Sequence, residues 1–95
     1  MKYVHVEWLT KRLDVATSMY YEIRSDGFES RKVEIYPDGK TDLASEDFES
    51  DKTWLSHEKF PSIEEINEDT QFKANLISKY EFETQWKKAL SARSS

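Results

Sequence analysis

The sequence contains no cysteine, only two glycines and only two prolines among its 95 residues. Without cysteine, the chain has neither disulfide bonds nor thiolate ligands for a metal. Disordered and low-complexity chains are usually rich in proline or glycine, so the scarcity of these two residues argues against both classes of chain. A single domain held together by its apolar core is therefore predicted, and its 14% aromatic residues would supply much of that core.

Long apolar runs are also missing. No stretch approaches the length that a membrane-spanning helix requires. The first residues place a carboxylate at Glu7, where a secretory signal peptide would have its apolar region. We therefore expect a cytoplasmic protein that does not contact a membrane.

The formal net charge of −5 is spread unevenly along the chain. Seven acidic side chains balance seven basic ones in residues 1–41, and residues 70–95 carry a net charge of +3. Residues 42–69 hold ten acidic side chains and two lysines, a net charge of −8. Because phosphate backbones are bound by basic surfaces, nucleic acid is excluded as the expected partner. A basic protein is the electrostatic complement of the acidic segment.

Alternating polarity predicts a β-meander in the first half of the chain. The clearest stretch runs from Arg31 to Tyr36 and enters the turn Pro37-Asp38-Gly39, where glycine accepts the positive φ angle of a tight turn. Strands are predicted over residues 3–9, 19–24, 28–36 and 40–44. Short connections make consecutive strands antiparallel neighbours. Residues 53–55 are a candidate for an additional, short edge strand.

Two capping boxes predict helices in the second half of the chain. Ser62 with Glu65 begins a short helix, and Ser78 with Glu81 begins a longer one over residues 79–90. The new N-cap at Ser78 favours a strand over residues 73–77, with a helical extension as the alternative. Residues 1–90 are expected to form one domain, and residues 91–95 a frayed tail.

These elements together predict an α+β fold. It consists of an antiparallel meander of four to five strands with two helices packed on one face. The residues expected to face the helices are Val4, Val6, Tyr21, Ile23, Val33 and Ile35. The residues expected on the opposite, solvated face are Tyr3, His5, Glu7, Tyr20, Glu22, Arg24, Lys32, Glu34 and Tyr36.

Three motifs resemble a family of small bacterial proteins about as long as this one. They are Val4-x-Val6-x-Trp8, Arg31-Lys32-Val33-Glu34-Ile35-Tyr36-x-Asp38-Gly39 and Ile77-Ser78-x-x-x-Phe82-x-x-x-Trp86. The resemblance spans nearly the whole chain, and the second motif is the most specific. It implies a compact domain that stands alone, and it implies no activity, because none is established for that family.

No local motif indicates catalysis, a metal or a cofactor. His5 and His57 are the only histidines, and neither has the spacing to a second ligand that metal sites show. Both are expected to be exposed. A nucleophilic site would need a serine or threonine beside a histidine and an orienting acid, and the sequence brings none of these together locally. No catalytic residue is assigned, and a non-enzymatic protein is expected.

The leading hypothesis is a protein-binding module that engages a basic partner. An immunity protein that neutralises a toxin, such as a nuclease, is its specific form. The proposed partner-binding residues are Glu46, Asp47, Glu49, Asp51 and Trp54. The alternative for Trp54 is a place in the core, because burial is the simpler prediction for a tryptophan.

Two alternatives remain open. The first is a small enzyme or small-ligand binder that uses the solvated face of the sheet, through Tyr3, His5, Tyr20 and Tyr36. The second is a structural or oligomerisation module, which would need an exposed sheet edge or apolar patch.

Overall fold

The computed structural model describes residues 1–47 and 53–94, the last two of these by their backbone alone. Within these residues the chain forms five strands and two helices. They are β1 (Lys2–Trp8), β2 (Ser18–Ile23), β3 (Glu29–Ile35), β4 (Thr41–Ser45), α1 (Ile63–Glu68), β5 (Phe72–Ile77) and α2 (Lys79–Ser94). The strands form one antiparallel sheet in the order β4-β3-β2-β1-β5. The predicted α+β fold with an antiparallel sheet is confirmed.

The hairpin between β3 and β4 forms at the predicted turn. The Tyr36 N–H donates to the Lys40 carbonyl at 2.8 Å, and the Gly39 N–H donates to the Tyr36 carbonyl at 2.9 Å. Gly39 has a φ of +88°, and no atom other than its own and those of its two chain neighbours lies within 4 Å of the position where a Cβ would stand. The backbone angle, rather than crowding, therefore requires glycine here.

Both capping boxes also form. The Glu65 N–H donates to the Ser62 hydroxyl, and the Glu81 N–H donates to the Ser78 hydroxyl, each at 3.1 Å. α2 continues to Ser94, so residues 91–94 of the expected tail are helical. Neither described helix has the length and apolar character that crossing a membrane requires.

The strand before α2 is confirmed and supplies the fifth strand of the sheet. β5 pairs with β1 at the edge away from β2, with Val6 opposite Ala74. Residues 53–55 were a candidate for an additional short edge strand, and that prediction is wrong because they lie outside the sheet. Thr53 is nevertheless only 3% exposed, so this segment packs against the domain without joining a ladder.

The sheet has an apolar core on each face, and one helix covers each. Val4, Val6, Ile23 and Ala74 form the first core, against which Ile63 and Ile66 of α1 pack. Val33, Leu43 and Ala89 form the second core, to which Trp86 of α2 contributes. The prediction that both helices lie on one face is therefore wrong.

The register of β2 and β3 explains the difference. Tyr20 lies opposite Val33, and Tyr21 lies opposite Lys32. Because neighbouring residues of a strand point to opposite faces, Val33 shares a face with Tyr20 and not with Tyr21. The sequence pattern had placed Val33 with Val4, and a shift of one residue moves it to the other face.

We predict that Phe82→Ala lowers the free energy of unfolding by about 3–5 kcal/mol, because it deletes a fully buried aromatic ring from the α2 interface. Urea unfolding would measure the change. Tyr80→Ala is the matched control, since Tyr80 lies on the same helix and is 80% exposed; its effect should stay within about 0.5 kcal/mol. Equal effects of the two variants would contradict the packing described for α2.

Candidate functional site

The sheet face that was predicted to be free is covered by α2. The rings of Tyr3 and Phe82 have centroids 5.4 Å apart. Tyr20 packs against the core that contains Ala89. Both tyrosines are therefore partly buried beneath the helix, and the structure does not bring them to an open surface.

Tyr36 lies on the other face of the sheet. In β3, Val33 and Ile35 share the α2 face, so the alternation of the chain turns Tyr36 away from it. The four residues Tyr3, His5, Tyr20 and Tyr36 consequently do not form one surface. This corrects the predicted ligand face, and the reason is the same register that separates the two cores.

His5 is half-buried rather than exposed. Its ring stacks on that of Tyr20 with centroids 4.3 Å apart and an angle of 9° between the planes. Its Nε2 lies 2.8 Å from the Ser18 hydroxyl. Burial lowers the pKa of His5, against the opposing influence of the Glu7 and Glu81 carboxylates.

A histidine hydrogen-bonded to a serine hydroxyl, as His5 is to Ser18, supplies two of the three residues that a hydrolytic triad needs. Such a triad also needs a carboxylate that orients the imidazole by a hydrogen bond. Within the described residues, no carboxylate is hydrogen-bonded to His5. We therefore interpret the pair as a polar link between β1 and β2.

The strongest electrostatic feature beneath α2 was not predicted. The Arg31 guanidinium donates to Glu22 through Nε at 2.8 Å and through Nη2 at 2.7 Å. It also donates to Glu83 of α2 through Nη1 at 2.9 Å and through Nη2 at 3.0 Å. Arg31 thus binds two carboxylates, each through both oxygens, and ties three elements together. The sequence signal that could have indicated Arg31 is its position at the start of the most specific motif, two residues before Val33.

Glu22 sits at an irregularity in the β2–β3 ladder. Its neighbour Ile23 pairs with Glu29 rather than with Ser30, so β3 has one extra residue there. The Ser30 hydroxyl donates to Glu22 at 2.6 Å. Hydrogen bonds from Arg31 lower the pKa of Glu22 to about 2, despite the opposing effect of burial.

The acidic segment contributes to a cavity at another part of the molecule. The cavity has a volume of about 580 Å³. Its lining residues are Arg24, Phe28, Glu29, Ser45, Glu46, Asp47, Leu55, Ser56 and His57. Three carboxylates and one guanidinium therefore surround it. The predicted residues Glu46 and Asp47 both line it, and no sequence pattern connects them with Glu29 or His57.

Hydrogen bonds hold the walls of this cavity. The Ser56 N–H donates to the Glu29 carboxylate at 3.1 Å, which joins the 53–62 segment to the start of β3. Arg24 donates to Glu46 at 2.6 Å and to Asp26 at 2.7 Å. These arginine contacts are exposed, so they contribute little to stability.

Trp54 is 59% exposed, which corrects the alternative that placed it in the core. It precedes Leu55, a residue of the cavity wall. The other two proposed binding residues, Glu49 and Asp51, lie outside the described part of the chain. Across residues 1–47 and 53–94, no group of three or more histidine, aspartate or glutamate side chains is arranged to hold a metal ion.

Comparison with protein families shows that residues 2–91 match DUF6881, a domain of unknown function. Comparisons with curated proteins and with solved structures find no match.

We predict that the stability contributed by Glu22 disappears in acid. Its folded pKa of about 2 lies below the ordinary value of 4.5, so the contribution is complete above pH 4.5 and is lost as the pH falls to about 2. The shift corresponds to about 3 kcal/mol. Urea unfolding of wild type and Glu22→Gln from neutral to acidic pH should show a difference that shrinks through this window.

Glu68→Gln is the control for a carboxylate outside the cluster, since Glu68 is exposed on α1. Its difference from wild type should be small at every pH. A Glu22→Gln difference that stays constant between neutral pH and pH 2 would show that Arg31 does not hold Glu22 ionised.

Proposed function

The chain belongs to the DUF6881 family, and we propose that it is a non-enzymatic module that binds a basic protein. The observation that carries this proposal is the cavity formed by Arg24, the start of β3, the end of β4 and residues 55–57. It gathers carboxylates from distant parts of the sequence into one concave surface. A binding site of this kind needs neither a nucleophile nor a metal.

The size and charge of the cavity fit a cationic side chain. Its volume of about 580 Å³ lies within the range of small-ligand sites, about 300–1,000 Å³. Glu29, Glu46 and Asp47 outnumber the single guanidinium of Arg24. Hydrogen bonds between a carboxylate and an arginine or lysine are about twice as strong as neutral ones. We infer that the partner inserts an arginine or lysine here.

Phe28 supplies an apolar part of the cavity, and Trp54 is an exposed aromatic residue next in sequence to the cavity residue Leu55. Phe28 lines the cavity and already lies 5.9 Å below the Arg24 guanidinium, a geometry that a second guanidinium could share. Trp54 exposes 59% of its surface beside the cavity residue Leu55. Tryptophan is enriched among the residues that contribute most to protein interfaces. An exposed tryptophan one residue from the cavity wall supports a protein partner over a small ion.

An immunity protein that neutralises a basic toxin, such as a nuclease, is the specific form of this proposal. The net charge of −8 in residues 42–69 supports it, because a nuclease that binds phosphates presents a basic surface. We propose the cytoplasm as the place of action. The alternative of a small enzyme or small-ligand binder that uses the Tyr/His/Glu face has less support, because Tyr3 and Tyr20 lie beneath α2 while Tyr36 lies on the other side of the sheet.

We predict that the cavity binds a short, blocked peptide with one arginine. In an NMR titration of the full chain, amide shifts should concentrate on Ser45, Leu55, Ser56 and His57, and should shrink as salt is added. The double variant Glu46→Gln/Asp47→Asn should lose most of the response, because it removes two of the three carboxylates around the cavity.

The matched control is Glu64→Gln/Glu68→Gln, which removes the same charge from the exposed surface of α1. It should bind the peptide like wild type. A peptide response that both double variants weaken equally would mean that overall charge, and not the cavity, attracts the cation. No response of the cavity residues at any salt concentration would overturn the proposal.

A physiological partner can be tested in the same way. Once a basic binding protein is identified, its association rate should fall with salt and in the Glu46→Gln/Asp47→Asn variant. Docking on the α2 side, with no effect of this variant, would contradict the proposed site.

A further inference from the structure

β5 is an edge strand of the sheet. Along it, the backbone N–H and C=O groups of alternate residues point toward β1 or away from the sheet. The Leu9 N–H donates to the Gln71 carbonyl at 2.6 Å, which continues the β1–β5 register by one pair. Residues 71, 73, 75 and 77 therefore direct their backbone groups toward β1. Phe72, Ala74 and Leu76 direct theirs outward, where an added strand would bind.

The side chain of Asn67 occupies the central outward position. Its Oδ1 accepts from the Ala74 N–H at 2.7 Å, and its Nδ2 donates to the Ala74 carbonyl at 3.1 Å. A residue of a neighbouring antiparallel strand would make the same two bonds. The position before it is also taken, because the Phe72 N–H donates to the Asp69 carbonyl at 3.0 Å.

Asn67 is held in place by a small helix. α1 has six residues and none of them is fully buried. Ile63 and Ile66 are partly buried and pack on the first core, beside Ala74. Asn67 lies near the end of α1, and from there its side-chain amide reaches the backbone of Ala74 at the edge of β5.

We propose that Asn67 closes the β5 edge against a second copy of this chain. Two β5 strands related by a twofold axis at Ala74 would pair antiparallel. Phe72 would then lie opposite Leu76, and Lys73 opposite Asn75. This arrangement places no like charges opposite each other and pairs an aromatic with an aliphatic side chain. Leu76 is 63% exposed in the single chain and would be covered.

Substitution of Asn67 tests this directly. Asn67→Ala removes both bonds to Ala74 and leaves the Phe72 N–H bonded to the Asp69 carbonyl, so two β5 strands would pair through the Ala74 groups, the Leu76 N–H and the Phe72 carbonyl. Its sedimentation should therefore shift with concentration, relative to wild type, toward a species of twice the mass. Asn67→Asp keeps the acceptor and loses the donor, so it should associate only at higher concentration. Asn75→Ala is the control, because it removes an exposed amide from the same strand, and it should sediment like wild type.

A folded Asn67→Ala chain that sediments like wild type from micromolar to millimolar concentration would overturn the proposal. A second measurement does not depend on any variant. In the wild-type chain, NMR hydrogen exchange should be about tenfold or more slower at the Ala74 amide than at the Leu76 amide, because Asn67 accepts from the former. Equal exchange at the two amides would show that Asn67 does not close the edge.

Discussion

The double ion pair of Arg31 is the interaction on which the arrangement of the domain depends. One guanidinium binds Glu22 on the neighbouring strand and Glu83 on α2, and it lies about 5 Å from the ring centroids of Phe82 and Trp86. Burial of charge costs free energy unless the partners satisfy one another, and here the hydrogen bonds of the cluster do so. Glu83 is the second carboxylate of Arg31, so the cluster favours the observed face and direction of α2.

The position of α2 decides where a binding site can be. α2 covers one face of the sheet, and α1 covers the other from the β5 side. The concave surface that remains is built at the ends of strands, where Glu29 begins β3 and Ser45 ends β4. The irregularity in β3 lies where the cavity and the Arg31 cluster meet. Glu29 lines the cavity, and the next residue, Ser30, donates to Glu22 in the cluster. The structural and the proposed binding regions therefore share one short stretch of chain.

Local features were predictable because they depend on neighbouring residues. The turn at Gly39 needs a positive φ, and the helices at Ser62 and Ser78 need a side-chain acceptor for a free N–H. Part of the cavity was also predictable, since Glu46 and Asp47 belong to the acidic segment. Glu29 and His57 were not connected with them, because the hydrogen bond that joins Ser56 to Glu29 spans 27 residues and leaves no pattern in the sequence.

The sequence by itself determined the antiparallel strands, the two capped helices and the concentration of negative charge in residues 42–69. These follow from polarity, turn residues and composition, which act over a few positions along the chain. Only the tertiary structure decided which face each strand residue occupies, because the register of β2 against β3 is set by packing across the sheet. That register places Val33 with Tyr20 rather than with Tyr21 and so separates the two cores, each covered by one helix, and it leaves the cavity as the surface open to a partner.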